Sequence, residues 1–165
     1  IALPSGCALD LGGIAKGWTV DRAAERLVAF RDFAVDAGGD LHAGGTRADG
    51  SRWTVGVADP DMPDRDLLTL TVRDEAVATS SVARRHWKGG HHLIDPRDGR
   101  PSRSEVVQAT VIADTVATAE TLAKAALLAG ERDGLRLIAL ARADGVLVGR
   151  GGHLATTDGI ARRTA

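Results

Sequence analysis

A glycine-rich segment with one lysine, Asp10-Leu-Gly-Gly-Ile-Ala-Lys-Gly17, has residue types suited to binding an anion. Its glycines let the backbone approach a ligand closely, and it opens a predicted helix, whose first N–H groups and dipole favour phosphate. Lys16 lies in the first helical turn, where a cation is normally disfavoured, so its position indicates a nearby anion. The spacing matches neither the P-loop nor the Gly-x-Gly-x-x-Gly pattern, and a glycine-rich turn with an exposed lysine is an equal alternative.

A second group of reactive side chains is His91-His-Leu-Ile-Asp-Pro-Arg-Asp-Gly99. In an extended strand His92 and Ile94 point to one side, and His91 and Asp95 point to the other. On residue type, His91 and Asp95 can bind a metal, whereas His92 can act as a base or donate a hydrogen bond to phosphate. The alternative is an ordinary turn, for which Asp-Pro-Arg-Asp-Gly is a typical sequence.

Glu120 and Lys124 are four residues apart on a predicted alanine-rich helix, with the glutamate N-terminal to the lysine. An exposed pair of this kind contributes about 0.3–0.5 kcal/mol. Val116, Ala123 and Leu127 lie on the same side of the helix, which favours partial burial of the pair. A half-buried pair needs further partners, such as phosphate oxygens or a cation. The spacing leaves a surface pair and a ligand-binding pair both open.

Short strands and three helices must position these side chains. Apolar periodicity predicts an amphipathic helix over 14–30, a helix over 115–129 that ends at Gly130, and a helix over about 132–142. Because no βαβ alternation runs through the chain, the predicted fold class is α+β with a largely antiparallel sheet. Strands are predicted at 33–37, near Leu41, and at 53–57, 68–72, 76–80, 91–95, 106–113, 146–148 and 153–156, with 68–72 and 76–80 forming a hairpin.

The composition is that of a globular protein and limits its function class. The 165 residues fit a single domain, 1–165, and the hydrophobic content of 44% excludes a disordered chain. A formal net charge of −1 gives no basic field for nucleic acid or for an anionic membrane surface. No apolar run reaches the ~18–20 residues of a membrane span. The single cysteine, Cys7, excludes an internal disulfide.

Five segments of the chain, taken together and in order, resemble one family, the FAD:protein FMN transferases or ApbE family. One such motif is a weak signal, whereas five in the family's order and at compatible spacings are a strong one. The segments cover most of the chain from residue 9 onwards. They are Leu9-Asp-Leu-Gly-Gly-Ile-Ala-Lys-Gly17, Val35-Asp-Ala-Gly-Gly-Asp-Leu41, Ala78-Thr-Ser80, His92-Leu-Ile-Asp-Pro-Arg-Asp-Gly99, and Thr110-Val-Ile-Ala113 followed by the helix to Gly130.

The resemblance implies a fold, an activity and a set of site residues. It implies an ApbE-like, T-fold-like domain, of which this chain is the C-terminal portion without the family's N-terminal half. The family transfers FMN from FAD to a Thr or Ser hydroxyl of an acceptor protein, releases AMP and normally requires Mg²⁺. By resemblance, His92 and Asp95 are catalytic, with His92 as the acid/base or phosphate-contacting group and Asp95 able to orient it. The implied FAD contacts are Asp10, Gly12, Gly13, Lys16 and Ile94, and the implied metal site is Gly13, Glu120 and Lys124.

The sequence departs from the family at the helix that carries the metal ligands. The family pattern is Ala-Asp-x-Leu-Ala-Thr, in which the Asp and the Thr bind magnesium, whereas this chain has Ala119-Glu-Thr-Leu-Ala-Lys124. A glutamate can still bind Mg²⁺, but an ammonium repels a cation, which puts the Mg²⁺ requirement in question. Either Lys124 contacts phosphate directly, or the metal moves, or activity is lost.

Two alternative functions therefore stand beside the transferase. One is a non-catalytic FAD-binding module with a degenerate magnesium site. The other is a metal-dependent hydrolase without flavin, built on His91, Asp95 and Glu120, which rests on residue types alone. The sequence leaves the compartment open, and the resemblance implies a bacterial protein of either the cytoplasm or the cell envelope.

Overall fold

Alternating apolar strands build one central antiparallel sheet in the structure, a computed structural model that describes residues 2–164. The helices are α1 (Ala15–Leu27), α2 (Val116–Ala129) and α3 (Glu131–Leu140), with short 3₁₀ turns at Val28–Phe30 and Asp158–Arg162. The strands are β1 (Phe33–Asp36), β2 (Asp40–Gly44), β3 (Trp53–Ala58), β4 (Asp66–Val72), β5 (Glu75–Ser81), β6 (His86–Trp87), β7 (Gly90–His91), β8 (Ile94–Asp95), β9 (Arg100–Pro101), β10 (Val106–Ala113), β11 (Asp144–Gly149) and β12 (Leu154–Thr156).

The central sheet has the strand order β1-β2-β5-β10-β11-β12, and neighbouring strands in it are antiparallel. The sheet separates two apolar layers, because successive side chains on each strand point to opposite faces. One face, with Ala78 and Val111, packs against α2 and α3. The opposite face, with Val77 and Ile112, packs against the β3–β4 hairpin. The α+β class with a largely antiparallel sheet and three helices is confirmed.

The predicted hairpin between 68–72 and 76–80 is wrong. Both segments are strands, but β4 pairs with β3, whereas β5 lies in the central sheet between β2 and β10. The burial patterns explain the difference. Leu70 and Val72 alternate with more exposed positions, as expected for a strand with one covered face, whereas Ala76, Val77 and Ala78 are at most 1% exposed, as expected for a central strand covered on both faces.

Two predicted elements are confirmed almost to the residue. The strand over 106–113 is β10, and the helix over 115–129 is α2, capped by Thr115 at its start and ended by Gly130. The first predicted helix ends sooner as an α-helix, at Leu27, and continues to Phe30 only as a 3₁₀ turn. Within residues 2–164, no helix combines the length and the apolar character needed to cross a bilayer.

Helices α1 and α2 are docked against each other by a carboxylate of α1 that binds backbone amides of α2. The Asp21 carboxylate on α1 accepts hydrogen bonds from the first two amides of α2, those of Val116 (2.7 Å) and Ala117 (3.0 Å). Thr115 Oγ1 accepts from the next free amide, that of Thr118. An anionic cap at a helix N-terminus satisfies these donors and is favoured by the helix dipole. The docking places the first turn of α1 beside the first two turns of α2.

Removal of the Asp21 carboxylate is expected to destabilise the fold through the start of α2. In Asp21→Ala, two part-buried amides lose their partner, so the free energy of unfolding in urea should fall by about 1–2 kcal/mol. The matched control is Glu25→Ala, because Glu25 is exposed on the same helix and should change stability by less than about 0.5 kcal/mol. Equal effects of the two substitutions would contradict the capping role.

Candidate functional site

A polar cavity of about 500 Å³ opens between α1, α2 and one end of the central sheet. Antiparallel pairing brings the start of β2 beside the middle of β5, since Asp40 is opposite Ala78 in the register. The first turn of α1, the middle of α2 and the segment after β5 complete the walls. The charged and titratable side chains that line the cavity are Lys16, Asp40, Arg84, Arg85, His92, Glu120 and Lys124.

Lys16 and Asp40 form an ion pair on one wall of the cavity. The Lys16 ammonium lies 2.9 Å from Asp40 Oδ2, although not in the direction of a normal hydrogen bond. Oδ1 of the same carboxylate accepts from the Thr79 amide at 3.3 Å. Burial raises the pKa of the Asp40 carboxyl, and Lys16 opposes that rise. The pairing fixes Lys16, whose side chain stays 39% exposed, at the rim of the cavity.

Glu120 and Lys124 form a second ion pair on α2, and the expected partial burial is confirmed. Glu120 is only 2% exposed, and its Oε1 accepts from the Lys124 ammonium at 2.8 Å. Its other oxygen, Oε2, accepts from the amide of Gly17 at 2.8 Å. The amides at the start of α1 were predicted to bind phosphate. One of them, that of Gly17, instead donates to a side chain of α2. The carboxylate joins both helices at the cavity wall.

His92 presents one free ring nitrogen in a half-buried position. Its backbone amide and its Nδ1 both lie 3.1 Å from the carbonyl oxygen of Arg85. A carbonyl only accepts, so Nδ1 carries a proton and the neutral ring keeps a lone pair on Nε2. Desolvation lowers the pKa of His92, and the charges of Arg85 and Lys124 act in the same direction, against the hydrogen bond to Arg85. His92 is therefore neutral near pH 7.

The two arginines that follow β5 were not predicted as site residues. Arg84 and Arg85 line the cavity, and with Lys16 and Lys124 they give four permanent cations against the two carboxylates of the ion pairs. An arginine pair is a weak sequence signal in a chain that carries most of its positive charge on arginine. Ser80, also on the wall, ends the motif segment Ala78-Thr-Ser80, and Ser81, which follows it, lines the wall as well. The cavity is suited to a ligand with about two negative charges.

The structure brings together part of the predicted site. Gly12, Lys16, His92, Glu120 and Lys124 line the same cavity, so the glycine-rich helix start and the histidine segment lie together there.

Asp10 and Gly13, two further residues of the glycine-rich segment, take part in the turn before α1. Asp10 accepts the amide of Gly12 at 2.7 Å, which shapes the turn before α1. A Cβ placed on Gly13 would lie 3.9 Å from Lys124 Cδ, so the lysine stem runs past this turn. A direct ligand contact by either residue stays a prediction.

Ile94 and Asp95 do not belong to the cavity wall. The predicted strand over 91–95 is wrong, because its two ends pair in separate hairpins, β6–β7 and β8–β9, with the chain bending at His92. Ile94 is 44% exposed, and both oxygens of Asp95 bind Arg97, which lowers the pKa of Asp95 to about 2. Asp95 thus makes its ion pair with Arg97 and does not orient His92 by a hydrogen bond.

The residues proposed for a metal hydrolase are engaged separately. Both ring nitrogens of His91 are used, Nε2 by the carbonyl of Ser102 (3.1 Å) and Nδ1 by the amide of Leu93 (3.2 Å). Asp95 binds Arg97, and Glu120 binds Lys124. Across the described residues, no three His, Cys, Asp or Glu side chains are grouped closely enough to hold a metal ion. This alternative is therefore not supported by the geometry.

The cavity does not fit the Mg²⁺ that the family resemblance implies. Magnesium demands near-octahedral oxygen coordination at short distances. At the expected position, Glu120 has both oxygens occupied, and the ammonium of Lys124 lies 2.8 Å from one of them. A cation at that position would meet a fixed positive charge in place of an oxygen ligand.

Comparisons with known proteins agree on one relationship. The sequence profile of the ApbE family matches residues 2–147. The chain is 33% identical over 134 residues to the FAD:protein FMN transferase of Vibrio cholerae, covering 77% of this chain and 40% of that protein. It is 34% identical over 141 residues to the FAD:protein FMN transferase of Treponema pallidum, covering 76% and 39% of the two chains. The chain spans about 40% of the length of these curated relatives.

Solved structures show the same partial coverage. The ApbE protein of Thermotoga maritima superposes with a TM-score of 0.85 at 32% identity, covering 93% of this chain and 52% of that one. The flavin transferase ApbE of Vibrio cholerae superposes with a TM-score of 0.82 at 28% identity, covering 94% and 52%. The fold described above is similar to about half of each of these proteins.

Proposed function

This chain belongs to the ApbE family, and from that membership we propose that it forms the C-terminal portion of an enzyme that transfers FMN from FAD to an acceptor protein. The acceptor group is a Thr or Ser hydroxyl, and the second product is AMP. The observation that carries the proposal is the convergence of Lys16, His92 and Lys124 on one cavity with excess positive charge. Phosphoryl transfer depends chiefly on positioning and charge neutralisation, which this wall provides.

The reaction assigned to the cavity is a displacement at phosphorus. The acceptor hydroxyl oxygen forms a bond to the FMN-side phosphorus of FAD, the bond from that phosphorus to the bridging oxygen breaks, and AMP leaves with the bridging oxygen. The hydroxyl proton passes to Nε2 of His92, the ring nitrogen that the hydrogen bond to the Arg85 carbonyl leaves free. Lys16 and Arg85 face the diphosphate and offset its negative charge.

The test is covalent flavin on an acceptor. The complete protein is incubated with FAD and a candidate acceptor protein, with and without Mg²⁺, and the products are separated under denaturing conditions. We expect flavin fluorescence in the acceptor band and release of AMP in equal amount. A related transferase of established activity, run with the same acceptor, is the positive control. If that control labels the acceptor and this protein does not, the proposed transfer is refuted.

A second candidate function is binding of FAD without turnover. The Glu120–Lys124 pair favours it, since a lysine stands where the family has a magnesium ligand. A binding module would copurify with FAD and release no AMP from it. Measurement of AMP release in the same incubation therefore separates the two functions.

A further inference from the structure

The carboxylate of Glu120 has no free oxygen for a metal ion. Oε2 is bound to the amide of Gly17 and Oε1 to the ammonium of Lys124, and the residue is 2% exposed. Displacing Lys124 to admit a cation would leave a lysine beside that cation, and displacing the Gly17 amide would break a hydrogen bond between α1 and α2. With the Lys124 ammonium in place, both oxygens of the Glu120 carboxylate have a hydrogen-bond donor.

Lys124 is nevertheless placed to contact a ligand. Its side chain is 24% exposed, and it lines the same cavity as Lys16 and Asp40. Its stem passes Gly13, where a Cβ would lie 3.9 Å from Cδ, so the backbone turn limits where the ammonium can move. An ammonium has three donors, and Glu120 takes one of them. Two donors are left for oxygens in the cavity.

We infer that Lys124 replaces a divalent cation in this protein: its ammonium, anchored by buried Glu120, neutralises the diphosphate of the bound dinucleotide. The inference rests on the proposed function for the identity of the ligand. The charges agree with it, because four cations face two carboxylates on the wall, and the excess of two matches the roughly two negative charges of a diphosphate. The site therefore binds its diphosphate without added metal.

Binding of FAD in the presence and absence of Mg²⁺ tests the inference. Dissociation constants are measured by flavin fluorescence on the complete protein, in excess EDTA and in millimolar Mg²⁺. We expect the two values for the native protein to agree within about twofold. Lys124→Met, which keeps the length of the stem and removes the charge, should weaken FAD binding by about tenfold or more in both buffers.

Two further variants separate a ligand role from a structural one. Lys124→Met leaves the buried Glu120 carboxylate without its cation, which can destabilise the fold. The double substitution Glu120→Gln/Lys124→Met removes both charges, and it should fold and still bind FAD about tenfold more weakly. Lys88→Met is the matched control, because Lys88 is exposed at the β6–β7 turn and does not line the cavity. It should bind FAD as the native protein does.

Several results would overturn the inference. The first is that Mg²⁺ tightens FAD binding by the native protein tenfold or more. The second is a folded double variant that binds FAD with native affinity. The third, no FAD binding in either buffer, would refute the proposed function as well. Metal-dependent FMN transfer would refute the inference and leave the proposed function standing. Binding in EDTA that depends on Lys124, without any transfer to an acceptor, would support the inference and refute the proposed function.

Discussion

Replacement of His92 by asparagine is expected to lower the rate of FMN transfer by about 10²–10⁴-fold, the usual contribution of a general base. Asparagine keeps an amide N–H near the position of Nδ1, so the hydrogen bond to the Arg85 carbonyl can persist. It has no basic nitrogen at the position of Nε2, so the acceptor hydroxyl loses its proton acceptor. Single-turnover transfer measured with saturating FAD and acceptor reports this step separately from FAD binding.

The pH dependence of the native protein provides a second readout of the same group. Only neutral His92 can accept a proton, and burial lowers its pKa below the ordinary value of 6.5. The kcat/KM for transfer should therefore rise with pH along an acid limb centred below 6.5 and be level above it. In His92→Asn this limb should disappear, since the titrating group is gone.

His86 is a matched control for the effect of His92→Asn on transfer. His86 also donates from Nδ1 to a backbone carbonyl, that of Ala83 at 2.9 Å, but it is exposed and outside the cavity wall. His86→Asn should leave the rate and its acid limb unchanged. If His92→Asn retains more than about a tenth of native activity, His92 is not the base.

Replacement of Gly17 by alanine should destabilise the protein, although alanine is the better helix former. Helix propensity alone would stabilise α1 by about 1 kcal/mol. A Cβ at this position, however, would lie 2.8 Å from the backbone of Val116 and Ala117 in α2, closer than real Cβ atoms come. Because backbone must shift, we expect a net loss of about 1–3 kcal/mol in the free energy of unfolding, measured by urea denaturation.

Thr19, an exposed residue on the same helix, is the control for Gly17, because alanine at this position should not lower the free energy of unfolding. Thr19→Ala replaces a weak helix former where no other element packs, so it should leave stability unchanged or raise it slightly. A rise in stability for Gly17→Ala as well would show that helix propensity outweighs the close approach of the two helices.

The elements predicted best are those whose local pattern is unambiguous. Helix α2 combines a threonine cap, apolar residues at helical spacing and a terminal glycine, and β10 is a long β-branched run, so local signals suffice. The partner of β4 could not be predicted in the same way. Adjacent strands with a short connection favour a hairpin, and only the packing of β5 between β2 and β10 overrides that preference.

The same limit applies to the cavity. The burial of Glu120 follows from its place on the apolar side of α2, and this was predictable. Asp40 and Arg85 carry no local signal for a shared cavity, because the register of β2 on β5 and the bend at His92 bring them together. The pairing of Asp95 with Arg97, two residues later, likewise competes with any role for Asp95 toward the histidine.

Glu120 joins the backbone of one helix and the lysine of another at a single carboxylate. With the inferred contact of Lys124 to the ligand, ligand affinity and the cohesion of the helix pair become thermodynamically linked. A molecule that orders Lys124 also secures the start of α1, and the reverse holds with the same free energy. Substitutions that loosen the two helices far from the ligand should consequently weaken its binding, even though they alter none of its contacts.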